Sequence, residues 1–468
     1  ERMDAGSVLH NQEGDLHPPL FGLALNAASS LAPGTWSKWA GLGLNLALHA
    51  CCLVALWALL RELGCSPAAS ACGVALWGLS RAGLSDVLYI RMYEMLTALT
   101  VLLALELAAL MRRGASGGAR RLLPAAVGAT VFLGLMTQYY FAIYAFLACL
   151  AAGTHLLRRR RLGEAAALAA CALAGVGLFL LAWPAALAHL GTESIEPGTS
   201  GEGALAALLN VPAWPERILL FGRHALKDMV VAILAWGLSA WARIRLAHDK
   251  GKGRGDASSI TVASIVPGLI TIVLVSLMAP FLSARYLYSS CPLIAAGAAL
   301  SLDAWLLSMP KERNRLTAFT SLAVVAALLA FNVAMSPAYL GEEDARQREL
   351  MVPYAADPCV YLIRRGHTDF GLANISITAD IPQLMEFKDV HVETDPTSAG
   401  IAAYLASKGN PDEVVLYVDM YDAPSDRAGE EDAREVAERL GYSRCTYVKG
   451  YSGANEGYVS SETYLLEH

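Results

Sequence analysis

Residues 92–112 read MYEMLTALTVLLALELAALMR, an apolar run with Arg91 before it and Arg112 and Arg113 at its far end. At about 1.5 Å of rise per residue, roughly 20 apolar residues carry a helix across the hydrocarbon core of a bilayer. The run reads as a membrane span. Glu94 lies one turn inside it and is costly there unless paired, which marks the Arg91 end as a place of chemistry.

Further runs of the same kind lie on either side, at 36–60, 67–84, 121–137, 139–157, 164–190, 224–244, 259–283, 287–307 and 316–336. The whole chain has 468 residues, 55% hydrophobic and only 17% charged, with a mean hydropathy of +0.42. A soluble domain carries nearer a quarter charged residues. The formal charge of -6 gives no reason to invoke nucleic acid.

Charge distribution orients the spans. The loops holding Arg61, Arg112 to Arg121, Arg158 to Arg161, Arg243 to Arg254 and Lys311 to Arg315 alternate onto one side and carry seventeen Lys and Arg. The opposite loops between spans carry about five: Arg81, Arg91, Arg217, Arg223 and Arg285. The positive-inside rule places the first set in the cytosol, with Arg158 to Arg161 read as a topology signal. The N-terminal segment, the loop at 82–91 and the C-terminal part then face outward.

Three regions follow. Residues 1–35 form an outer loop whose apolar stretch 18–33 is too short to span and reads as an interfacial helix, started by Pro18 and Pro19. Residues 36–336 form a bundle of ten spans. Residues 337–468 turn polar and acidic, with β-type runs at 359–363, 390–392, 414–418 and 445–448 and helical patterns at 399–408 and 429–440. This alternation predicts a small α/β domain, extracytoplasmic by parity. The predicted fold class is mainly α: a polytopic membrane helix bundle with a small C-terminal α/β domain, multi-pass in the plasma (inner) membrane. Cys359 and Cys445 are the two cysteines of the polar part, and an outer location would permit a disulfide between them.

Candidate site residues gather at the outer ends of spans. Asp15 is a carboxylate that can take a proton from an attacking hydroxyl, and His17 can do so near neutral pH; equally, Asp15 can cap the helix that follows. Arg91 and Arg285 are lone guanidinium groups at span mouths, suited to gripping a phosphate bidentately. The alternatives are an Arg91–Glu94 pair at i,i+3 spacing and snorkelling of Arg285. Tyr139 and Tyr140, in Thr137-Gln138-Tyr139-Tyr140-Phe141, are sugar or lipid-phosphate contacts or members of an interfacial aromatic belt. No Cys-x-x-Cys or His-x-x-x-His spacing suggests a metal site.

An ordered set of these motifs resembles bacterial GT-C fold glycosyltransferases, the membrane enzymes related to protein O-mannosyltransferases and the lipid A aminoarabinose transferase. Asp15-Leu16-His17-Pro18-Pro19-Leu20 is similar to their D-x-H-P-P-L element. Trp36-Ser37-Lys38-Trp39, Ile90-Arg91-Met92-Tyr93, Thr137-Gln138-Tyr139-Tyr140-Phe141 and Ala284-Arg285-Tyr286 follow in the family's order, over residues 1 to 336. Gln138 departs from the pattern, which has His there. The resemblance implies transfer of a sugar from a polyprenyl-phosphate carrier to a cell-envelope glycan, lipid or protein on the outer face. Asp15 is then the candidate base, with His17, Arg91, Tyr93, Tyr140 and Arg285 as substrate-binding candidates. The family's main acidic dyad sits after a first span, upstream of His-Pro-Pro-Leu. The expectation is therefore a chain lacking its N-terminal span, with the main base upstream of Glu1. No cofactor is assigned, and a divalent cation is left open. The competing readings are a transporter or flippase for lipid-linked sugars and a non-catalytic membrane protein displaying the α/β domain.

Overall fold

Local sequence signals decide where each apolar run becomes helix and where it breaks. The computed structural model describes residues 3–13, 17–31, 38–113, 122–191, 210–215, 255–278, 284–307, 348–363, 383–394, 399–420, 429–451 and 461–468, with single positions 219, 229, 233, 323, 326, 330, 334 and 380. The helices of the first part are α1 (Ala5–Glu13), α2 (Leu20–Ser29), α3 (Lys38–Glu62), α4 (Pro67–Gly78), α5 (Arg81–Leu88), α6 (Tyr93–Arg113), α7 (Leu123–Leu135), α8 (Phe141–Arg158), α9 (Leu162–Ala182), α10 (Ala185–Gly191), α11 (Gly255–Met278) and α12 (Cys291–Leu307). A 3₁₀ turn, Ala284–Ser290, leads into α12.

Among the described residues, six helical segments are long and apolar enough to cross a membrane: α3, α6, α8, α9, α11 and Arg285–Trp305. The stretch expected as one span at 67–84 is instead two short helices. Ser80 accepts a hydrogen bond from the Gly83 N–H at 2.9 Å and starts α5 anew. α4 alone, with 12 residues, is about 18 Å long and too short to span. The stretch at 164–190 breaks at Trp183-Pro184, where proline cannot continue the ladder, and resumes as α10. The expected spans at 224–244 and 316–336 lie outside the described residues apart from the single positions.

α6 is the central helix. In the span it contributes, 78% of the apolar window is buried within the protein, against 17% for α9 at the periphery. α7 crosses α9 where two glycines let the backbones touch: a Cβ on Gly175 would run into the Gly128 carbonyl oxygen, and one on Gly128 would stand 2.5 Å from that of Cys171. The C-terminal end of α6 is closed by Arg161, whose guanidinium donates to the Met111 and Leu110 carbonyls, both at 2.7 Å, and pairs with Glu164. A cation on orphan carbonyls complements the negative end of the helix dipole. Arg161 is therefore a helix cap as well as part of a basic loop.

The chain divides into two compact units, the second beginning at Leu340. Among the described residues its five strands are β1 (Cys359–Leu362), β2 (Val390–Glu393), β3 (Glu413–Asp419), β4 (Arg444–Tyr451) and β5 (Ser461–Glu467), with α13 (Ala399–Ser407) and α14 (Glu430–Leu440) between them. The sheet order is β2-β1-β3-β5-β4. β1 runs parallel to β2 and β3, while β5 is antiparallel to both its neighbours. One face packs Val360, Leu362, Leu416 and Val418 with Ile401 and Leu405 of α13 and Val436 of α14. Cys359 and Cys445 are both free thiols. With β3 and β5 between their strands they stand about 14 Å apart, three strand spacings, which rules out the disulfide.

Candidate functional site

The site is built where three breaks in the helical pattern meet: the α5–α6 link, the turn between α7 and α8, and the 3₁₀ turn before α12. Each places a polar or aromatic side chain at the same end of the bundle. Tyr89 caps α5 and Tyr93 opens α6; their rings stack at 5.7 Å. Arg285 enters from the 3₁₀ turn and donates a 2.6 Å hydrogen bond to the Tyr89 hydroxyl oxygen. Its guanidinium carbon lies 5.5 Å from the Tyr89 ring centroid, 5.9 Å from that of Tyr93 and 5.6 Å from that of Tyr286. Such distances place a cation within reach of three electron-rich ring faces. Tyr286 meets Tyr93 and Tyr140 edge-on, at 6.0 and 5.7 Å. A small cavity beside this cage is lined by Tyr93, Gln138, Tyr140, Tyr286 and Ser289 together with apolar groups such as Leu96.

The structure thus joins three of the six residues singled out in the sequence: Tyr93, Tyr140 and Arg285. Arg91, half-buried, lies in the same link, its backbone N–H turned to the Tyr89 carbonyl at 2.7 Å. It does not pair with Glu94. That carboxylate instead faces the His49 ring across α3, with Nδ1 3.1 Å from Oε1. His17 is half-buried at the entry to α2, three residues before the Leu20 N–H that bonds the Met136 carbonyl at 3.0 Å. Phe21 of α2 packs in one apolar cluster with Tyr89, Met92, Tyr93 and Met95, so α2 is seated directly on the cage. Asp15 and Glu1 both lie outside the described residues, and with them the base expected at Asp15 or upstream of Glu1.

Sequence reading named Tyr139 and Glu94 but missed His189, Trp183, Asn45 and His49. Tyr139 points away from Tyr140 and holds a second network: its hydroxyl is 2.7 Å from His189 Nδ1 and accepts from Trp183 Nε1 at 3.0 Å. His189 Nε2 reaches the Glu13 carbonyl at 3.1 Å. Asn45 and His49 of α3 are one turn apart; Asn45 donates to the α5–α6 link and His49 faces Glu94. The available signal was that spacing within an apolar span, where polar groups face protein rather than lipid. Asp86 is fully buried, and burial together with the Glu94 charge holds its carboxyl well above the usual carboxylate range. Among the described residues, no three His, Cys, Asp or Glu side chains gather so as to hold a metal ion.

Chemically, the cage presents a planar cation with several N–H donors, flanked by phenol hydroxyls and by apolar walls. That combination suits an anion carried on a greasy chain.

No protein-family model and no curated protein sequence matches the chain. Solved structures do. A crystal structure of ArnT from Cupriavidus metallidurans bound to undecaprenyl phosphate aligns over 96% of this chain and 87% of its own, at 12% identity and a TM-score of 0.50. The arabinofuranosyltransferase AftD from Mycobacteria aligns with 98% of this chain and 36% of its own, at 17% identity and a TM-score of 0.45. An oligosaccharyltransferase from Archaeoglobus fulgidus covers 97% of this chain and 68% of its own, at 12% identity and 0.45. The first of these likenesses gives the fold.

Proposed function

We propose that this chain, which has the GT-C fold, moves a sugar from a polyprenyl-phosphate carrier to an acceptor hydroxyl on the outer face of the membrane. The observation that carries the reading is the Arg285 cage: a guanidinium ringed by Tyr89, Tyr93 and Tyr286 beside a cavity edged by Tyr140. The ArnT structure, of like fold, has undecaprenyl phosphate bound.

In this reading Arg285 holds the carrier phosphate and stabilises the charge that grows on it as the bond to the anomeric carbon breaks. Phenol hydroxyls of Tyr93 and Tyr140 add donors, and Arg91 adds a second positive charge at the mouth. The acceptor oxygen forms the new bond to the anomeric carbon, the phosphate leaves with the electron pair, and the acceptor proton passes to a carboxylate. Asp15, two residues beyond Glu13, is the candidate for that base. Glu13 is tied through His189 and Tyr139 to the turn that carries Tyr140. His17 follows at the head of α2. Acceptors of this class are cell-envelope glycans, lipids or proteins, and the membrane is the inner one.

The test is turnover of labelled polyprenyl-phosphate sugars by the full-length protein in native membranes. Release of free polyprenyl phosphate with label appearing in an acceptor supports the reading. Carrier that crosses the bilayer with its sugar intact would favour a lipid-linked sugar transporter, and no engagement of the carrier at all would favour a display role for the α/β unit.

A further inference from the structure

Asp86 on α5 and Glu94 in the first turn of α6 are both 0% exposed. Thr97 donates its hydroxyl to Asp86 Oδ2 at 2.7 Å, and His49 stands 3.1 Å from Glu94 Oε1. The remaining oxygens, Asp86 Oδ1 and Glu94 Oε2, meet no hydrogen-bond partner, and the Thr97 bond, one turn on from Glu94, seats Asp86 against the same face of α6. Two ionised carboxylates cannot share a dry site. One proton held between them supplies the donor that both oxygens lack.

The pair sits at a joint. Asn45 of α3 donates both amide hydrogens across it, to the Val87 carbonyl at 3.0 Å and the Tyr89 carbonyl at 2.9 Å. Asp86 lies three residues before Tyr89, and Glu94 directly follows Tyr93. Whatever holds Asp86 to Glu94 therefore fixes the spacing of the two stacked tyrosines that enclose Arg285. The Asn45 bonds set the link from one side, and the carboxyl pair closes it from the other.

We propose that Asp86 and Glu94 are positioning residues for the phosphate site: they share one proton, clip α5 to α6, and so hold Tyr89 and Tyr93 against Arg285. This rests on the phosphate-binding reading of the cage. The groups bearing on the pair are His49 and Cys52 of α3, with Trp77 of α4 beside His49. On the site side, Arg285 and Arg91 act on Tyr93. α2 brings no ionisable side chain, and α12 brings Cys291, whose thiol donates to the Leu287 carbonyl, and Asp303, whose charge is felt at Cys65 towards the other end of α3. Taking the proton away leaves two like charges at the joint, which pushes α5 from α6 and opens the cage.

Glu94→Gln and Asp86→Asn replace the shared proton with an amide hydrogen that does not titrate. The experiment measures polyprenyl-phosphate binding to the full-length protein from pH 6 to pH 10, for wild type and each variant. Titration of the ligand is common to all and cancels in the comparison. Expected is affinity within about twofold at pH 6, and a wild-type loss of at least tenfold relative to either variant at pH 10. Parallel profiles would overturn the proposal while leaving the phosphate site intact, whereas no binding by wild type at any pH would overturn the phosphate reading itself. Infrared spectroscopy needs no ligand: a protonated-carboxyl band should bleach at alkaline pH and vanish in either variant but not in Glu106→Gln. Its persistence in both variants would also overturn the shared proton.

Discussion

Arg285 carries the largest consequence of any single residue. A charge-assisted contact to a phosphate contributes about 2–3 kcal/mol, so Arg285→Ala should weaken polyprenyl-phosphate binding by roughly 30- to 160-fold. Calorimetric or fluorescence titration of the purified full-length protein reads this directly, and an unchanged affinity would remove the guanidinium from the site. Tyr89→Phe keeps the ring beneath the cation and loses only the 2.6 Å hydrogen bond to Arg285. A hydrogen bond from a charged group contributes about 1.5–3 kcal/mol, so the expected loss is roughly tenfold or more. At this scale Arg285, Tyr93 and Tyr140 were legible because a polar or aromatic group at the end of an apolar run stands out against its surroundings. Tyr89 was not, because its role depends on a residue 196 positions away. The Arg91–Glu94 pair, the alternative that i,i+3 spacing offered, gave way to His49–Glu94, since a partner on a neighbouring helix reaches the buried carboxylate that the helix mouth does not.

Elements show where helical pattern is informative and where it stops. The long spans at α3, α6, α8 and α11 follow hydropathy closely. The run at 67–84 did not, because average hydropathy does not register a single capping serine, here Ser80, that restarts the helix. Strand β5 went unread: Ser461–Glu467 mixes polar and apolar residues, and its place between β3 and β4 is a matter of long-range pairing. The α7–α9 crossing makes a prediction of its own. Gly175→Ala drives a methyl into the Gly128 carbonyl, whereas Gly177 has nothing within 4 Å of the same position. Thermal unfolding in detergent should show a clear fall in Tm for the first and little change for Gly177→Ala; equal shifts would deny the close crossing. The sheet yields a pH prediction. Burial pushes the Asp380 carboxyl up to about 7, offset in part by hydrogen bonds from Ser461 and Tyr361 at 2.8 and 2.9 Å. A raised carboxyl favours the sheet in acid. Its contribution is complete below the ordinary value of 3.8 and is lost as pH rises through about 7, a change of about 4 kcal/mol. Hydrogen exchange at β1 and β5 should accelerate over that window beyond its intrinsic pH dependence, and Asp380→Asn should flatten the effect.

At the scale of the molecule, the account joins three observations. The described helices supply six segments able to cross a bilayer, the basic loops lie on one predicted side, and the aromatic cage lies at the end of α6 away from its capping Arg161. Cysteine labelling in intact cells should find position 285 reachable from outside, with positions 159 and 160 reachable only after permeabilisation; the reverse pattern would invert the topology. The central claim is that a lipid-linked phosphate sits in the Arg285 cage. Its most direct test is photo-crosslinking of the full-length protein with a diazirine-bearing polyprenyl phosphate, followed by peptide mapping. The account predicts crosslinks on the starts of α6 and α8 and on Ala284–Ser290, abolished by excess unlabelled carrier and reduced in Arg285→Ala. Competable crosslinks confined to other segments, and undiminished in that variant, would contradict it.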